Sequence, residues 1–386
     1  MNIVIAPDSF KESLTAMEAA RAIEEGFASV LPHERYYKIP MADGGEGTVQ
    51  SIVDATGGSI KSVTVTGPLY EPVEAFYGLS GDKKIAVIEM AAASGLDKVP
   101  MEKRNPLVTT TYGFGELICD ALEEGVEEIL LGIGGSATND GGAGMVMSLG
   151  GKLLDETGAS ISADGQGLGK LKSIDISRLH PRLKEVVIKV ACDVDNPLTG
   201  KNGASHIYGP QKGGTSEQIE LLDSHLAHYA QVIKKTLGKD IDQVPGAGAA
   251  GGLGAGLLAF LDAELERGGD LLVEMLGLEE QIKQADLVIT GEGGINHQTI
   301  FGKTPVAVSR IAKKHGVPVI AVAGTLSKGY ESVHDEGIDA VFSILTELSS
   351  LDEVLEKGYE NLKATAANVA SVIKISRTAE ITPREN

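Results

Sequence analysis

Cysteine is nearly missing from this chain: Cys119 and Cys192 are the two among 386 residues. Two thiols cannot build a disulfide framework, and neither has a metal-binding partner at the usual spacing, so a disulfide scaffold and a zinc module are both excluded. Basic residues are also scarce. Lysine and arginine total 34 against 54 aspartates and glutamates, a formal charge of −20. Nucleic acids and anionic membranes are bound through basic patches that displace counterions, so neither is expected as a partner. No apolar run approaches the roughly 18 residues of a membrane span. The first residues, Asn2-Ile3-Val4-Ile5, carry neither the basic region nor the long apolar region of a signal peptide, and a soluble cytoplasmic protein is expected. The serine-hydrolase elbow G-x-S-x-G is absent, and Cys192 has no neighbour that would activate it as a nucleophile. His225 and His228 lie three apart on a predicted helix with no third ligand nearby, which reads as a solvated helix face.

Glycine, by contrast, is abundant: 49 of 386 residues, where about 7% is ordinary. Most of the excess is clustered, as in loops where the backbone must approach a ligand closely. An anionic ligand would need amides, lysines or a bound cation to offset the acidic field of the protein.

A chain of this length exceeds what one core supports, so two domains are expected. A strand over 3–6 leads to a helix over 16–31 opened by a Thr15/Glu18 capping box, then a strand over 36–41 and a short helix over 49–55. Strands over 62–66, 73–79 and 85–90 follow without helices between them, which marks a different kind of sheet. A helix over 108–124, strands over 128–132 and 186–192, and an amphipathic helix over 216–237 come next. The strand-helix rhythm resumes with a strand over 287–290, a helix over 305–314, strands over 318–323 and 339–344, and a final helix over 351–373. Five parallel strands, two before the middle segment and three after it, suit a flavodoxin-like doubly wound domain of order 2-1-3-4-5 interrupted by a second α/β domain. The expected domains are 1–60 with 285–380, and 61–284, with a frayed tail over 381–386. In that topology the ligand crevice opens between the first and third strands, which would bring the loop at Asp8 to the loop at Gly291.

Five polar loops at strand or helix ends, three of them glycine-bearing, carry the candidate chemistry: 8–11, 43–48, 132–144, 193–197 and 291–303. The last reads T-G-E-G-G-I-N-H-Q-T-I-F-G-K from Thr290 and is expected to be a strand-end loop holding an anion. It narrowly misses a Walker A pattern, since Gly302-Lys303-Thr304 fits but His297 stands where glycine is required. The run from Gly132 to Ala137 fits the dinucleotide fingerprint G-x-G-x-x-A, which keeps a nicotinamide enzyme as an alternative. A second match, Gly246 to Gly251, follows no convincing strand and reads as a glycine-rich helix start able to accept phosphate. Phosphoryl transfer needs cations near the phosphates, a carboxylate to hold Mg²⁺ or take the acceptor's proton, and amides to cradle charge. Lys11 and Lys303 are the candidate cations. Asp8, Asp43, Asp193, Asp195 and Glu292 are the candidate carboxylates.

Taken in order, these loops closely resemble the bacterial glycerate kinase family. The matching runs are Ala6-Pro7-Asp8-Ser9-Phe10-Lys11, Ala42-Asp43-Gly44-Gly45-Glu46-Gly47-Thr48, the segment from Gly132 to Gly142, Cys192-Asp193-Val194-Asp195-Asn196-Pro197-Leu198, and Gly291-Glu292-Gly293 with Gln298-Thr299 and Gly302-Lys303. The resemblance implies a flavodoxin-like domain with a restriction-endonuclease-like insertion, D-glycerate and ATP as substrates, Mg²⁺ as cofactor, transfer in the cleft between the domains, and a phosphoglycerate product, commonly the 2-phosphate. Catalytic roles are then expected of Lys11, Asp43, Asp193 and Lys303, and Mg²⁺ ligation of Asp193 and Asp195. Substrate or nucleotide contacts are expected from Asp8 and Ser9, from Gly44, Gly45 and Glu46, and from Gly134, Gly135, Ser136, Asn139 and Asp140. The last loop would add Gly291, Glu292, Asn296, Gln298 and Thr299. A homo-oligomeric assembly is left open. One departure stands out: the family usually reads G-E-G-R-[IL]-D-x-Q-T, whereas Gly294 and Asn296 stand here in place of the arginine and the aspartate. Asparagine cannot act as a general base, so a binding or regulatory protein with weakened catalysis is the second alternative.

Overall fold

The computed structural model describes residues 1–348 and 350–381. The chain divides into two compact units, Met1–Asp43 with Gly268–Asn386, and Gly44–Arg267. The first unit opens with β1 (Asn2–Pro7) and β2 (Arg35–Lys38), joined through the helix Ala16–Val30. Thr15 Oγ1 accepts from the Glu18 amide at 3.2 Å while the Glu18 carboxylate accepts from the Thr15 amide at 2.9 Å, the reciprocal cap expected at this helix start. The second unit carries β3 (Ser59–Thr66), β4 (Pro72–Leu79), β5 (Ile85–Glu89), β6 (Glu128–Gly132), β7 (Lys152–Leu154), β8 (Ser173–Asp175), β9 (Val187–Ala191) and β10 (Glu264–Glu266). The chain then returns to the first unit for β11 (Leu287–Ile295), β12 (Val319–Leu326) and β13 (Ala340–Ser343).

All strands of the first unit pair in parallel, in the order β13-β12-β11-β1-β2. Counted within the unit, this is the expected order 2-1-3-4-5. Ile3, Val4, Ile5 and Ala6 are fully buried, as a central parallel strand covered on both faces must be. The helix Ala16–Val30 lies so close to the helix Gly358–Ile381 that a Cβ on Gly26 would stand 2.4 Å from the Lys363 carbonyl oxygen. That approach explains a glycine in mid-helix despite its cost of about 0.5–1 kcal/mol.

The second unit is built on a mixed sheet of order β10-β9-β6-β5-β4-β3. Strands β5, β6, β9 and β10 run parallel, while β4 is antiparallel to both β3 and β5. β7 and β8 form a separate antiparallel pair. Phe114, Leu117 and Ile118 of the helix Tyr112–Glu123 join Ile129 and Leu131 of β6 in its core.

Several expectations are corrected. The units change after Asp43 and Arg267 rather than at 60/61 and 284/285. The helix Thr48–Thr56 packs Val49 and Val53 on Gly78 of β4, and Gly269 packs on Gly302 and Ala307, so each segment follows its apolar partner. Strand β11 runs on to Ile295, and the final helix is two, Leu351–Glu356 and Gly358–Ile381. A helix, Ala249–Phe260, does follow the glycine-rich start expected at 246–251, but Ala250, Gly251 and Gly252 break its first turn with left-handed backbone. Of the expected frayed tail 381–386, all but the first residue lie outside the described residues. Among the described residues, no helix is long and apolar enough to cross a membrane.

Candidate active site

In the first unit, the strand order reverses between β1 and β11, the place where parallel α/β sheets open a crevice at their carboxyl ends. The Asp8 amide donates to the Gly291 carbonyl at 2.8 Å. Its side chain is 8% exposed: Oδ1 accepts from the Ser9 amide at 2.6 Å and Oδ2 from Thr304 Oγ1 at 2.7 Å. Burial pushes the Asp8 carboxyl up to about 7, and the nearby Asp43 carboxylate adds to the rise. The Thr304 and Ser9 hydrogen bonds oppose it, and Glu292 contributes a further small rise. Three carboxylates therefore share one field, in which burial and the neighbouring charges push the Asp8 carboxyl toward its neutral form.

Glu292 is 7% exposed. Its Oε1 accepts from Thr299 Oγ1 at 2.8 Å and its Oε2 from Lys303 Nζ at 3.2 Å. Burial raises its pKa above the usual carboxylate range, against the pull of Lys303. Lys303, itself half-exposed, ends the left-handed turn at Gly302 and caps the helix Thr304–Lys314. Lys11 is exposed in the turn between Phe10 and Leu14, and Asp43 is half-buried. Asp8, Asp43, Glu292, Thr299 and Lys303 are thus brought together as expected.

The segment 291–303 is not one loop. Gly291 to Ile295 continue β11 along β12, Gly294 opposite Thr325, so on that edge their backbone groups serve the sheet. A Cβ on Gly291 would stand 2.1 Å from the Val322 carbonyl oxygen; this glycine admits the neighbouring strand. The turn proper begins at Asn296, whose Oδ1 accepts from the Gln298 amide at 2.8 Å and whose carbonyl accepts from the Thr299 amide at 3.0 Å. Gln298 is exposed.

In the second unit, Gly134 and Gly135 are exposed while the five residues after them are buried. The Leu96 amide donates to the Gly135 carbonyl and the Ala137 amide to the Ser94 carbonyl, both at 2.9 Å. No helix follows these glycines until Ala143, so the pyrophosphate-binding helix start of a dinucleotide fold is missing and the nicotinamide alternative falls. Asp140 is fully buried. It accepts from the Thr111 amide and hydroxyl at 2.8 and 2.7 Å and from the Gly142 and Gly144 amides at 3.1 and 3.2 Å. Asn139 Nδ2 donates to Ser205 Oγ at 3.0 Å, likewise in the interior. Asp140 and Asn139 brace the loop from inside.

The 43–48 loop ends at a helix start that is already satisfied: the buried Glu89 carboxylate accepts from the Val49 amide at 2.9 Å, with the Gly47 and Thr48 amides also lowering its pKa against the larger effect of burial. Gly44 is buried with φ of 83°, Gly45 half-buried and Glu46 exposed. Asp193 and Asp195 are exposed in the segment after β9. The glycines from Gly246 to Gly251 serve packing. A Cβ on Gly251 would lie 1.9 Å from the Thr138 carbonyl oxygen, and one on Gly248 2.1 Å from that of Pro197, so these glycines permit backbone-to-backbone packing. His225 and His228 are half-buried and bonded to the Gly165 and Leu171 carbonyls rather than solvated.

Sequence reasoning missed Thr304, Glu89 and Lys212. Thr304 stands beside Lys303 in the Walker-like run, and Glu89 ends an apolar strand. Lys212 is followed by Gly213 and Gly214 in an otherwise unmarked segment; the residue is 2% exposed.

Residues 3–374 match the model of the Glycerate kinase family. A glycerate kinase of Halalkalibacterium halodurans is 60% identical over 370 residues, which cover 96% of this chain and 97% of that protein. The glycerate 2-kinase of Escherichia coli is 56% identical over 375 residues, covering 97% and 98%. A crystal structure of a protein assigned as glycerate kinase 2 in Salmonella typhimurium has a TM-score of 0.92 at 54% identity, covering 98% of this chain and 99% of that one.

Proposed function

The chain belongs to the glycerate kinase family, and on that premise we propose that it transfers the γ-phosphoryl group of ATP to a hydroxyl of D-glycerate, releasing ADP and 2-phosphoglycerate. The observation that carries this reading is identity of 55–60% to glycerate kinases over nearly the whole chain. The name of the Escherichia coli relative favours the 2-position. The parallel sheet is read as the flavodoxin-like domain of the family and the mixed sheet as its restriction-endonuclease-like insertion.

Within the first unit, the reaction assigns work by charge. Lys11, exposed beside the Asp8 turn, is suited to the glycerate carboxylate. Asp8 takes the proton of the attacking hydroxyl as its oxygen bonds to the γ-phosphorus and the bond from that phosphorus to the β,γ-bridging oxygen breaks. A base that titrates near neutral pH serves this step best, because it is ionised at working pH and still accepts a proton readily. Asp43 raises the proton affinity of Asp8 by its charge. Lys303, oriented by Glu292, offsets charge gathering on the transferred group. Mg²⁺ fits the exposed, all-oxygen pair Asp193 and Asp195, since this ion takes one or two carboxylates and completes its shell with phosphates and water. When bound it would neutralise charge on the ATP phosphates.

Asn296 does not count against catalysis, because its side chain makes a turn and the proton has another acceptor in Asp8. A coupled assay of ADP release with D-glycerate tests the activity, and a phosphorus NMR spectrum of the product tests the position. No glycerate-dependent ADP at high enzyme concentration would sink the reading.

A further inference from the structure

Lys212 ends the short turn Pro210–Lys212 and lies in the interior of the second unit, 2% exposed. Its Nζ donates to Ser136 Oγ and to the Thr138 carbonyl oxygen, both at 2.6 Å. Neither partner is charged. Burying an ammonium against two neutral acceptors is a poor way to gain stability, since an apolar side chain of the same length would avoid the desolvation cost. Burial holds the Lys212 pKa down to about 7 against the opposing pull of Asp140.

The place where Lys212 acts is informative. Ser136 and Thr138 flank Ala137 in the segment directly after Gly134 and Gly135, the exposed pair at the end of β6. Thr138 Oγ1 and Asn139 Oδ1 are buried there without a hydrogen-bond partner among the described residues, and unsatisfied buried polar atoms are uncommon where stability alone sets the sequence. Ser136 Oγ, having accepted from Nζ, keeps its own proton to donate, and a hydroxyl polarised in this way is a stronger donor. Two successive exposed glycines, the second with φ of 73°, leave room for an anion to approach the backbone beside such a hydroxyl.

We propose that Lys212 is a positioning residue for phosphoryl transfer, holding the Ser136 hydroxyl and the Thr138 carbonyl so that the Gly134-Gly135-Ser136 turn receives a phosphate of ATP. This rests on the glycerate kinase reading and adds to it a residue acting through the loop.

Steady-state kinetics of the full-length protein, with ATP and D-glycerate varied in turn and thermal melts in parallel, test it. Lys212→Met is expected to raise KM for ATP about tenfold or more while KM for glycerate changes less than about threefold. Ser136→Ala is expected to raise the same KM by a smaller factor, and the double variant to be no worse than Lys212→Met alone, since both remove one interaction. Lys212→Arg, which keeps donors at the position, is expected to recover part of the loss. An unchanged KM for ATP in Lys212→Met, or effects of the two variants that multiply, overturns the proposal. If Lys212→Met does not fold, Ser136→Ala decides, and an unchanged KM for ATP there overturns it equally. Failure of the unmodified protein to release ADP with glycerate would instead overturn the reaction itself.

Discussion

Thr304 Oγ1 donates a 2.7 Å hydrogen bond to Asp8 Oδ2 across 296 positions of sequence. The bond links the end of the first strand to the first turn of the helix that follows β11, and it exists because β1 and β11 are neighbours in the sheet. It steadies a carboxylate that burial and the charges of Asp43 and Glu292 all push toward the protonated form. A carboxyl held near neutrality by its surroundings, rather than satisfied as a structural ion, is a mark of a reacting group.

The Asp8 shift fixes the sign of two pH effects. Its folded pKa of about 7 lies above the unfolded value, so the folded state binds the extra proton in that window. The stabilising contribution is complete below the unfolded pKa and is lost as pH rises through about 7. Asp8→Asn removes the buried charge and keeps a hydrogen-bonding side chain. At pH 8 it is expected to stabilise the protein by on the order of 2–4 kcal/mol, the gain shrinking as pH falls toward 4. Over the same range kcat is expected to fall by about 100-fold or more, the usual scale for a lost general base. The unmodified enzyme should lose kcat/KM below about pH 7 as Asp8 protonates. Melts at pH 5 and 8 and a pH–rate profile check this; an Asp8→Asn protein no more stable at pH 8 than the parent would count against it.

Gly294, in the ladder with β12, and Asn296, in the turn after it, depart from the family pattern without disabling either. The Asn296 Oδ1 bond to the Gln298 amide can be made equally by an aspartate, and a Cβ on Gly294 would meet Thr325 Oγ1 at 3.2 Å, a contact that a small shift relieves. The double variant Gly294→Arg/Asn296→Asp is therefore expected to fold and to change kcat by less than about tenfold. Steady-state kinetics decide it: an increase of several orders of magnitude would mean that the present turn cripples the enzyme and that Asp8 does not suffice.

Asp140 was expected at the ligand and lies instead under the loop, accepting four hydrogen bonds in full burial. Asp140→Ala leaves the Thr111 hydroxyl and three amides without their acceptor. By the scale for a broken buried network it should cost about 3–5 kcal/mol. Urea unfolding measures this, and a loss below about 1 kcal/mol would return Asp140 to the candidate ligands.

Much of the first unit was legible because its central strand β1 holds a continuous apolar run and its helix start carries a full capping box at Thr15 and Glu18. The strand order followed from counting parallel strands around an insertion. The site was partly legible. Asp8 follows the end of β1, Glu292 lies in β11 and Lys303 caps the helix after it, and the pairing of β1 with β11 brings them together. What the sequence did not disclose was the use made of glycine. Gly291 and Gly251 look like phosphate-loop glycines, yet the first admits Val322 of the next strand and the second admits Thr138. A glycine's neighbour is set by tertiary contact, and one sequence holds no trace of it. Lys212 was hidden for the same reason, since its partners Ser136 and Thr138 lie more than 70 positions away.

Ala250 offers the sharpest test of that account of the glycine-rich run. It has φ of 53° and ψ of 40°, followed by Gly251 and Gly252 at φ of 70° and 86°, so three successive residues adopt the left-handed conformation and the first of them carries a side chain. The left-handed region costs an L-residue with a Cβ about 1–2 kcal/mol. The Gly141 amide, bonded to the Gly251 carbonyl at 3.1 Å, shows why the turn cannot relax: it is fastened to the loop that Asp140 braces. Ala250→Gly should therefore stabilise the protein, by roughly 1 kcal/mol after the unfolded-state entropy that glycine adds is subtracted. Gly251→Ala should do the opposite by a larger amount, about 3 kcal/mol or more, because a Cβ 1.9 Å from the Thr138 carbonyl oxygen adds a clash to the strain. Denaturant midpoints for the two variants measure both signs at once. If both variants shift the midpoint the same way, close packing against Thr138 is not what keeps glycine here.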